Sequence, residues 1–172
     1  ALAWAYSAPP LQLMSRGLGE VTVAACWWLV VVGADYVQRQ QFFVIPAYEA
    51  VSYAALVGNI LLLNGLPDAP ADRQVGKRTL ATRLTPRQLA HTYTAVVLGA
   101  HAWLAVGVWL LIPPMEALWS LVSLPLALVA CAMLYRRAHQ PEQLRPVIGL
   151  TIATALVHGL AMAAGILSLQ WV

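Results

Sequence analysis

The acidic residues that are the strongest candidates for chemistry lie in a polar stretch, residues 64–84. Its sequence is NGLPDAPADRQVGKRTLATRL. It contains Asp68 and Asp72, two of only seven acidic residues in the chain. Asn64, Asp68 and Asp72 are spaced four apart, and residues four apart lie on one face of a helix. Two carboxylates on one face suit Mg²⁺, which prefers carboxylate and phosphate oxygens as ligands.

Basic residues follow these carboxylates within the same stretch. Lys77 and Arg78 come five and six residues after Asp72. An arginine offers a planar fork to a phosphate and a lysine offers a point charge. The stretch is therefore equipped for a Mg²⁺–diphosphate. From spacing alone, a solvated loop whose basic residues only fix membrane topology is the open alternative.

The composition places this site in a membrane protein. The 172 residues are 60% hydrophobic and only 10% charged, with a mean hydropathy of +0.70. Soluble chains carry about 25% charged residues. A soluble domain is therefore excluded, membrane lipid is an expected partner, and nucleic acid is not.

Five apolar runs are long enough to cross ~30 Å of hydrocarbon at ~1.5 Å per residue. We predict an all-α fold, a polytopic membrane helix bundle of about five full transmembrane helices plus an N-terminal helix stub, with residues 1–172 as one membrane domain. The predicted spans are 20–38, 42–63, 91–112, 115–135 and 147–169, and the stub is 1–6.

The connections between the spans have distinct signals. Residues 64–90 are predicted as a charged loop, in which Thr85 and Pro86 indicate a helix start as cap and first residue. Pro113 and Pro114 break the chain after the third span. Intramembrane glycines indicate close helix packing; they are Gly99, Gly107, Gly159 and Gly165.

The distribution of basic residues predicts the orientation. Nine of the ten Lys and Arg residues fall in loops on one side, and only Arg39 falls on the other. Cytoplasmic loops carry the excess of positive charge. The Asp-rich loop is therefore expected on the cytoplasmic side, where it can converge with the N-terminal loop and with residues 136–146.

The polar stretch resembles the second aspartate-rich motif of the UbiA superfamily of intramembrane prenyltransferases. In the menaquinone-pathway (dihydroxynaphthoate polyprenyltransferase) branch the motif is approximately N-E-F-P-D-x-x-A-D-x-x-x-G-K-R-T-L-x-x-R-L. Residues 6–10 and 16–20 resemble that branch's upstream Y-S-x-P-P…R-G-L-G-E loop. The matching positions of the polar stretch are Asn64, Pro67, Asp68, Ala71, Asp72, Gly76, Lys77, Arg78, Thr79, Leu80, Arg83 and Leu84.

The resemblance implies transfer of a polyprenyl group from its diphosphate to an aromatic acceptor, for quinone biosynthesis. It implies that Asp68 and Asp72 are catalytic Mg²⁺ ligands. It also implies diphosphate-binding roles for Asn64, Lys77, Arg78 and Tyr6. The family folds as a ring of about nine helices, so this chain corresponds to the C-terminal part only. The family's first aspartate-rich motif has no counterpart here, and we expect this chain alone not to turn over substrate.

Four positions depart from the family pattern. Gln12 and Met14 stand where the upstream loop commonly has Arg and Lys. Gly65 replaces an acidic residue, and Pro70 falls between the two aspartates. Proline is poorly tolerated beyond a helix's first turn, so Pro67 and Pro70 are expected to disturb the spacing of the carboxylates.

Ionisable residues inside the spans are functional candidates by default. Asp35 lies close enough to an interface to be solvated, whereas Glu49 is expected to pair inside the bundle. His101 and His158 have no second ligand at i+3 or i+4. Helix–helix hydrogen bonding and ligation of a pigment or haem remain open for both.

Two hypotheses from different classes follow. The first is a UbiA-type prenyltransferase seen as a partial or degenerate copy, Mg²⁺-dependent if active. The second is a non-catalytic accessory transmembrane subunit of a larger membrane complex, derived from the same fold and associated with other membrane subunits.

Overall fold

The computed structural model describes residues 1–169, and within them all regular structure is helical. Two short 3₁₀ turns cover Leu13–Ser15 and Pro141–Gln143, and a longer 3₁₀ segment, Met115–Ser123, runs into α6. The α-helices are α1 Leu2–Ser7, α2 Gly19–Arg39, α3 Val44–Gln74, α4 Leu80–Arg83, α5 Pro86–Trp109, α6 Leu124–Arg137 and α7 Arg145–Ser168.

The five predicted spans are confirmed. Helices α2, α3, α5 and α7, and the combined segment Met115–Arg137, are each long and apolar enough to cross a membrane. The stub is confirmed as α1. The fourth span differs from the prediction in one respect, because its first nine residues form a 3₁₀ helix rather than an α-helix. The chain is a multi-pass membrane protein.

The prediction that residues 64–90 form a loop is wrong for its first part. Helix α3 continues without interruption through residue 74 and contains both Pro67 and Pro70. Leu66 and Ala69 are only 7% and 4% exposed in this extension. Their burial against the core favours the helix enough to offset the backbone hydrogen bonds that the two prolines cannot donate.

The predicted helix start at Thr85 and Pro86 is confirmed. Thr85 Oγ1 accepts a hydrogen bond from the Gln88 backbone N–H at 3.3 Å, and Thr85 N–H donates to Gln88 Oε1 at 2.9 Å. This reciprocal pair is a capping box, and Pro86 occupies the first turn, where its missing N–H costs nothing. Helix α5 therefore begins five residues before the predicted third span.

Helix α3 is the centre of the bundle, since α2, α4, α5 and α7 all pack on it. The main core lies between α3, α5, α6 and α7 and includes the fully buried Leu63, Leu89, Tyr93 and Leu134. On the other side α2 approaches closely at Gly58, where an added Cβ would lie 3.0 Å from the Glu20 carbonyl oxygen. Because α3 is packed on both sides, the position of its polar C-terminal end is fixed relative to the bundle.

Three of the four predicted close-packing glycines are confirmed. A Cβ at Gly107 would overlap the Tyr48 ring, and one at Gly159 would lie 2.9 Å from the Tyr53 ring. A Cβ at Gly165 would overlap the Glu116 carbonyl. The prediction is wrong for Gly99, because no atom of the described residues lies within 4 Å of a Cβ there and that side of α5 faces away from the bundle.

Candidate functional site

The acidic face at the end of α3 is continuous. Asn64 and Asp68 are exposed and Asp72 is partly buried, and all three lie within the regular helix. Their Cβ atoms are therefore separated by about 5–6 Å at each step along one face. The expectation that Pro67 and Pro70 disturb this spacing is wrong, because both prolines are accommodated within α3.

Lys77 folds back onto this face. Its Nζ lies 2.8 Å from Asp72 Oδ1, and its backbone N–H donates to the Asp72 carbonyl at 3.0 Å. The hydrogen bond and charge of Asp72 raise the pKa of Lys77, with smaller contributions from Asp68 and Tyr6. Lys77 therefore stays cationic beside the two carboxylates, and Tyr6 lies within electrostatic range of the same group.

A positive-φ glycine makes the reversal of the chain possible. Gly76 has φ +74°, a conformation that glycine adopts at no steric cost. Thr82 Oγ1 then donates to the Lys77 carbonyl at 3.2 Å, and Thr79 caps the one-turn helix α4 by accepting from the Thr82 N–H at 3.2 Å. In the sequence, Thr79 stands out only as a position that matches the family motif, and Thr82 has no such signal; the cap signal at Thr79 could have indicated its structural role.

The N-terminal loop docks on this turn. The Arg78 N–H donates to the Ser15 carbonyl at 2.9 Å, and Arg83 Nη2 donates to the Arg16 carbonyl at 2.9 Å. Gly17, at φ +79°, lies between them. The predicted convergence of these two loops is confirmed. Arg83 is used to hold the loops together, whereas the Arg78 side chain is exposed.

Tyr6 lies at the same end of the bundle. It is partly buried at the end of α1, and its ring is 3.8 Å from the Cβ position at Gly19. The structure therefore brings all six candidate residues to one end of the molecule. They are Tyr6, Asn64, Asp68, Asp72, Lys77 and Arg78.

The donor set at this end fits a partly hydrated Mg²⁺. Among residues 1–169 no three His, Cys, Asp or Glu side chains are grouped as a self-sufficient metal site. Mg²⁺, however, is commonly held by one or two carboxylates together with substrate phosphates and waters. Asp68 and Asp72 supply that number of carboxylates on one face, with a lysine beside them to balance phosphate charge.

Gly17→Ala is expected to loosen the docked loops. Alanine at φ +79° costs about 1 kcal/mol of backbone strain, and its Cβ would lie 3.0 Å from the Arg78 carbonyl oxygen. Gly76→Ala is the matched control, because it has a similar φ of +74° but nothing within 4 Å. The backbone strain is common to both variants, and only Gly17→Ala adds the contact with the Arg78 carbonyl oxygen, which we expect to cost about 1 kcal/mol more. Trypsin cleavage after Arg78 should therefore be roughly fivefold faster in Gly17→Ala than in Gly76→Ala. Equal rates in the two variants would contradict the docking.

The buried histidines form a hydrogen-bonded chain across the bundle. Ser52 Oγ lies 3.0 Å from His158 Nε2, and His158 Nδ1 lies 3.2 Å from Ser123 Oγ. Ser123 Oγ in turn lies 2.9 Å from His101 Nε2, and His101 Nδ1–H donates to the Val97 carbonyl at 2.8 Å. All four ring nitrogens thus have partners. This supports helix–helix hydrogen bonding as the role of His101 and His158.

The two intramembrane acids behave differently from each other. Asp35 pairs with Arg39 at 2.9 Å, one turn along α2, and its side chain is 17% exposed. Glu49 is only 8% exposed, and the expectation that it pairs inside the bundle is wrong for Oε1, which has no partner within residues 1–169. Within the described residues, no polar side chain of a neighbouring helix reaches that oxygen.

Comparison with known proteins gives consistent results. The UbiA prenyltransferase family matches residues 1–147. The chain is 30% identical over 159 residues to a 1,4-dihydroxy-2-naphthoate octaprenyltransferase of Escherichia coli (strain K12), covering 90% of the chain and 50% of the relative. The namesake protein of Mycobacterium leprae (strain TN) is 31% identical over 175 residues, covering 95% of the chain and 55% of the relative.

A third relative is named for a different prenyl transfer reaction. It is a 2-carboxy-1,4-naphthoquinone phytyltransferase of Synechocystis sp. (strain ATCC 27184 / PCC 6803 / Kazusa), 25% identical over 168 residues, covering 95% of the chain and 54% of the relative. The chain thus spans about half the length of these curated relatives. No solved structure shows a significant match.

Proposed function

Because the chain belongs to the UbiA prenyltransferase family, we propose that it takes part in transferring a polyprenyl group from its diphosphate to an aromatic acceptor. The observation that carries the proposal is the acidic face of α3 with Lys77 hydrogen-bonded to it at 2.8 Å. A cation beside two carboxylates at the polar end of an apolar bundle suits a diphosphate whose prenyl chain lies in hydrocarbon.

The candidate residues would have different roles according to the chemistry of their side chains. Asp68 and Asp72 would hold Mg²⁺, and Asn64, one turn earlier, would accept or donate hydrogen bonds to its waters. Lys77 and Arg78 would hold the diphosphate, Lys77 as a point charge and the exposed Arg78 as a fork. Tyr6 would line the entrance.

The transfer requires that the negative charge of the leaving diphosphate be neutralised and that water be excluded from the reacting prenyl carbon. The bond between the prenyl carbon and the diphosphate oxygen breaks, and its electron pair leaves with the diphosphate. A ring carbon of the acceptor bonds to the prenyl carbon, and the ring regains aromaticity by releasing the group on that carbon, either a proton to the departed diphosphate or, from a carboxyl-bearing carbon, CO₂. Mg²⁺, when bound, would neutralise charge on the leaving diphosphate. Lys77 and Arg78 stabilise the same charge, and the apolar helices exclude water from the cationic carbon.

The acceptor we propose is a carboxylated naphthalene compound of the 1,4-dihydroxy-2-naphthoate type. The support is that the relatives from three organisms are named for ring systems of this kind. Their names differ in the prenyl group, octaprenyl in two and phytyl in one, so the proposal does not extend to chain length. The acidic face is proposed to lie on the cytoplasmic side, supported by the nine-to-one distribution of Lys and Arg.

An accessory, non-catalytic subunit is the second candidate. Gln12 and Met14 favour it, because two charges common in the family's upstream loop are replaced. Gly65 and Pro70 also depart from the family motif, but the structure gives each departure an explanation other than loss of function. A Cβ at Gly65 would lie only 3.1 Å from Ala81 Cβ, so a larger side chain would disturb the packing of α4 on α3, and Pro70 lies within regular helix.

One assay separates the two candidates. Because this chain alone is expected not to turn over substrate, the assay uses membranes that contain it together with a segment carrying the family's first aspartate-rich motif. These membranes are supplied with octaprenyl diphosphate and 1,4-dihydroxy-2-naphthoate, with Mg²⁺ or with excess EDTA. We expect a prenylated naphthalene product that forms with Mg²⁺ and disappears with EDTA. If no product forms, while membranes containing the Escherichia coli relative make it under the same conditions, the catalytic proposal fails and the accessory role is favoured.

A further inference from the structure

A large cavity lies at the end of the bundle opposite the acidic face. Helices α2 and α7 both pack on α3 more than on each other, and the cleft between them has α3 as its floor. The cavity measures about 600 Å³. Glu49 in its floor and Asp68 on the acidic face are nineteen residues apart on one helix, which is about 28 Å along its axis. The cavity is therefore separate from the proposed diphosphate site.

Glu49 is the unusual residue of this cavity. It lines both the main cavity and an adjoining one of about 440 Å³, so it lies where the two meet. The residue is 92% buried, and its Oε1 has no hydrogen-bond partner in the described part of the chain. A buried carboxyl oxygen without a partner is costly, and an acid at membrane depth marks a functional site by default.

The nearby basic residue does not satisfy Glu49. Arg39 also lines both cavities, but its Nε is 2.9 Å from Asp35 Oδ1 and its guanidinium carbon lies 5.0 Å from the centre of the Phe43 ring. Arg39 is therefore paired with Asp35 rather than with Glu49. The carboxyl of Glu49 is thus available to a group that enters the cavity.

The walls of the cavity are aromatic and aliphatic, so they suit an apolar, partly aromatic ligand. Tyr53 contributes an aromatic wall, supported from behind by Trp27, whose ring stands edge-on at 5.9 Å between centroids. Gly159 leaves room for the Tyr53 ring to lie against α7. The remaining wall is mainly aliphatic and comes from α2 and α7, including Val31, Leu156, Leu160, Met162 and Ile166.

We propose that this cavity binds a lipid-soluble aromatic molecule bearing a hydroxyl group, whose O–H donates to the Glu49 carboxyl. The aromatic ring would stack on or pack against Tyr53, and the apolar walls would enclose the remainder. Cavities of about 300–1,000 Å³ with a few polar groups among apolar walls are typical of small-molecule sites. This inference rests on the cavity alone and does not depend on the proposed prenyl transfer.

The test compares two probes that differ in one hydroxyl. Binding of 2-naphthol and of 2-methoxynaphthalene is measured by equilibrium dialysis against the protein in lipid nanodiscs, with empty nanodiscs as the baseline for partitioning. We expect Glu49→Leu to weaken 2-naphthol binding by at least about tenfold, because the acceptor is lost, and to leave 2-methoxynaphthalene binding unchanged. Leucine is apolar and similar in volume, so the variant is expected to fold.

Two further variants locate the effect. Glu116→Leu makes the same change in a residue outside the cavity, and we expect it to leave 2-naphthol binding unaltered. Gly159→Ala pushes the Tyr53 ring toward the cavity, so it should weaken both probes together. If Glu49→Leu leaves 2-naphthol binding unchanged, or if wild-type protein binds the two probes equally well, the proposal is overturned.

Discussion

Asp68→Asn is expected to lower the rate of Mg²⁺-dependent prenyl transfer by about 10³-fold. The substitution keeps the shape of the side chain but removes the negative charge that would hold the metal. Removing a single group that stabilises transition-state charge costs about 10²–10³-fold in other enzymes, and here the metal itself would be weakened. The side chain is exposed on regular helix, so the fold should be unaffected. The measurement is product formation at saturating Mg²⁺ in the same membranes, which also supply the family's first aspartate-rich motif.

The matched control for this prediction is Glu142→Gln. Glu142 is an exposed acid in a loop expected on the same side of the membrane, outside the acidic face. It should retain wild-type turnover. If Asp68→Asn turns over as fast as Glu142→Gln, Asp68 is not a metal ligand and the acidic face has another role.

Gly165→Ala should destabilise the bundle more than any other single-methyl addition discussed above. A Cβ at this position would overlap the carbonyl of Glu116 and lie 3.3 Å from Trp119 Cγ, so α7 must move away from the 3₁₀ segment Met115–Ser123. A backbone carbonyl cannot turn aside as a side chain can. We expect a loss of about 3 kcal/mol, seen as a fall of about 6–12 °C in the thermal unfolding midpoint in detergent.

Gly149→Ala on the same helix is the control. In the described part of the chain no atom lies within 4 Å of a Cβ at Gly149, so alanine there should be neutral or should stabilise α7 by about 0.5–1 kcal/mol. If both variants unfold at the same temperature, the close approach of α7 to the 3₁₀ segment is not present in the protein.

The parts of the fold that depend on local sequence were predictable. Five apolar runs of sufficient length predict five spans, and Thr85–Pro86 predicts the start of α5 because the cap and the proline act within one turn. The extension of α3 through Pro67 and Pro70 was not predictable in this way. It depends on the burial of Leu66 and Ala69 in the main core, which the local sequence does not reveal.

The candidate site also has some features that local sequence predicts and others that it does not. The four-residue spacing of Asn64, Asp68 and Asp72 predicts a shared face, and the structure has it. The return of Lys77 to Asp72 needs a reversal at Gly76 that no spacing rule specifies. That Glu49 Oε1 has no partner among residues 1–169 could only be found in three dimensions, since a single acid in a span does not reveal whether a neighbouring helix offers a partner.

The most direct test of the acidic face is to observe its metal. Mn²⁺, which can replace Mg²⁺ at carboxylate and phosphate sites, is titrated into the protein in the presence of inorganic diphosphate, and free Mn²⁺ is followed by electron paramagnetic resonance. We predict diphosphate-dependent loss of the free Mn²⁺ signal with wild-type protein, and at least a tenfold weaker effect with Asp68→Asn or Asp72→Asn. Equal Mn²⁺ binding by wild type and both variants would contradict the assignment of this face as the metal–diphosphate site.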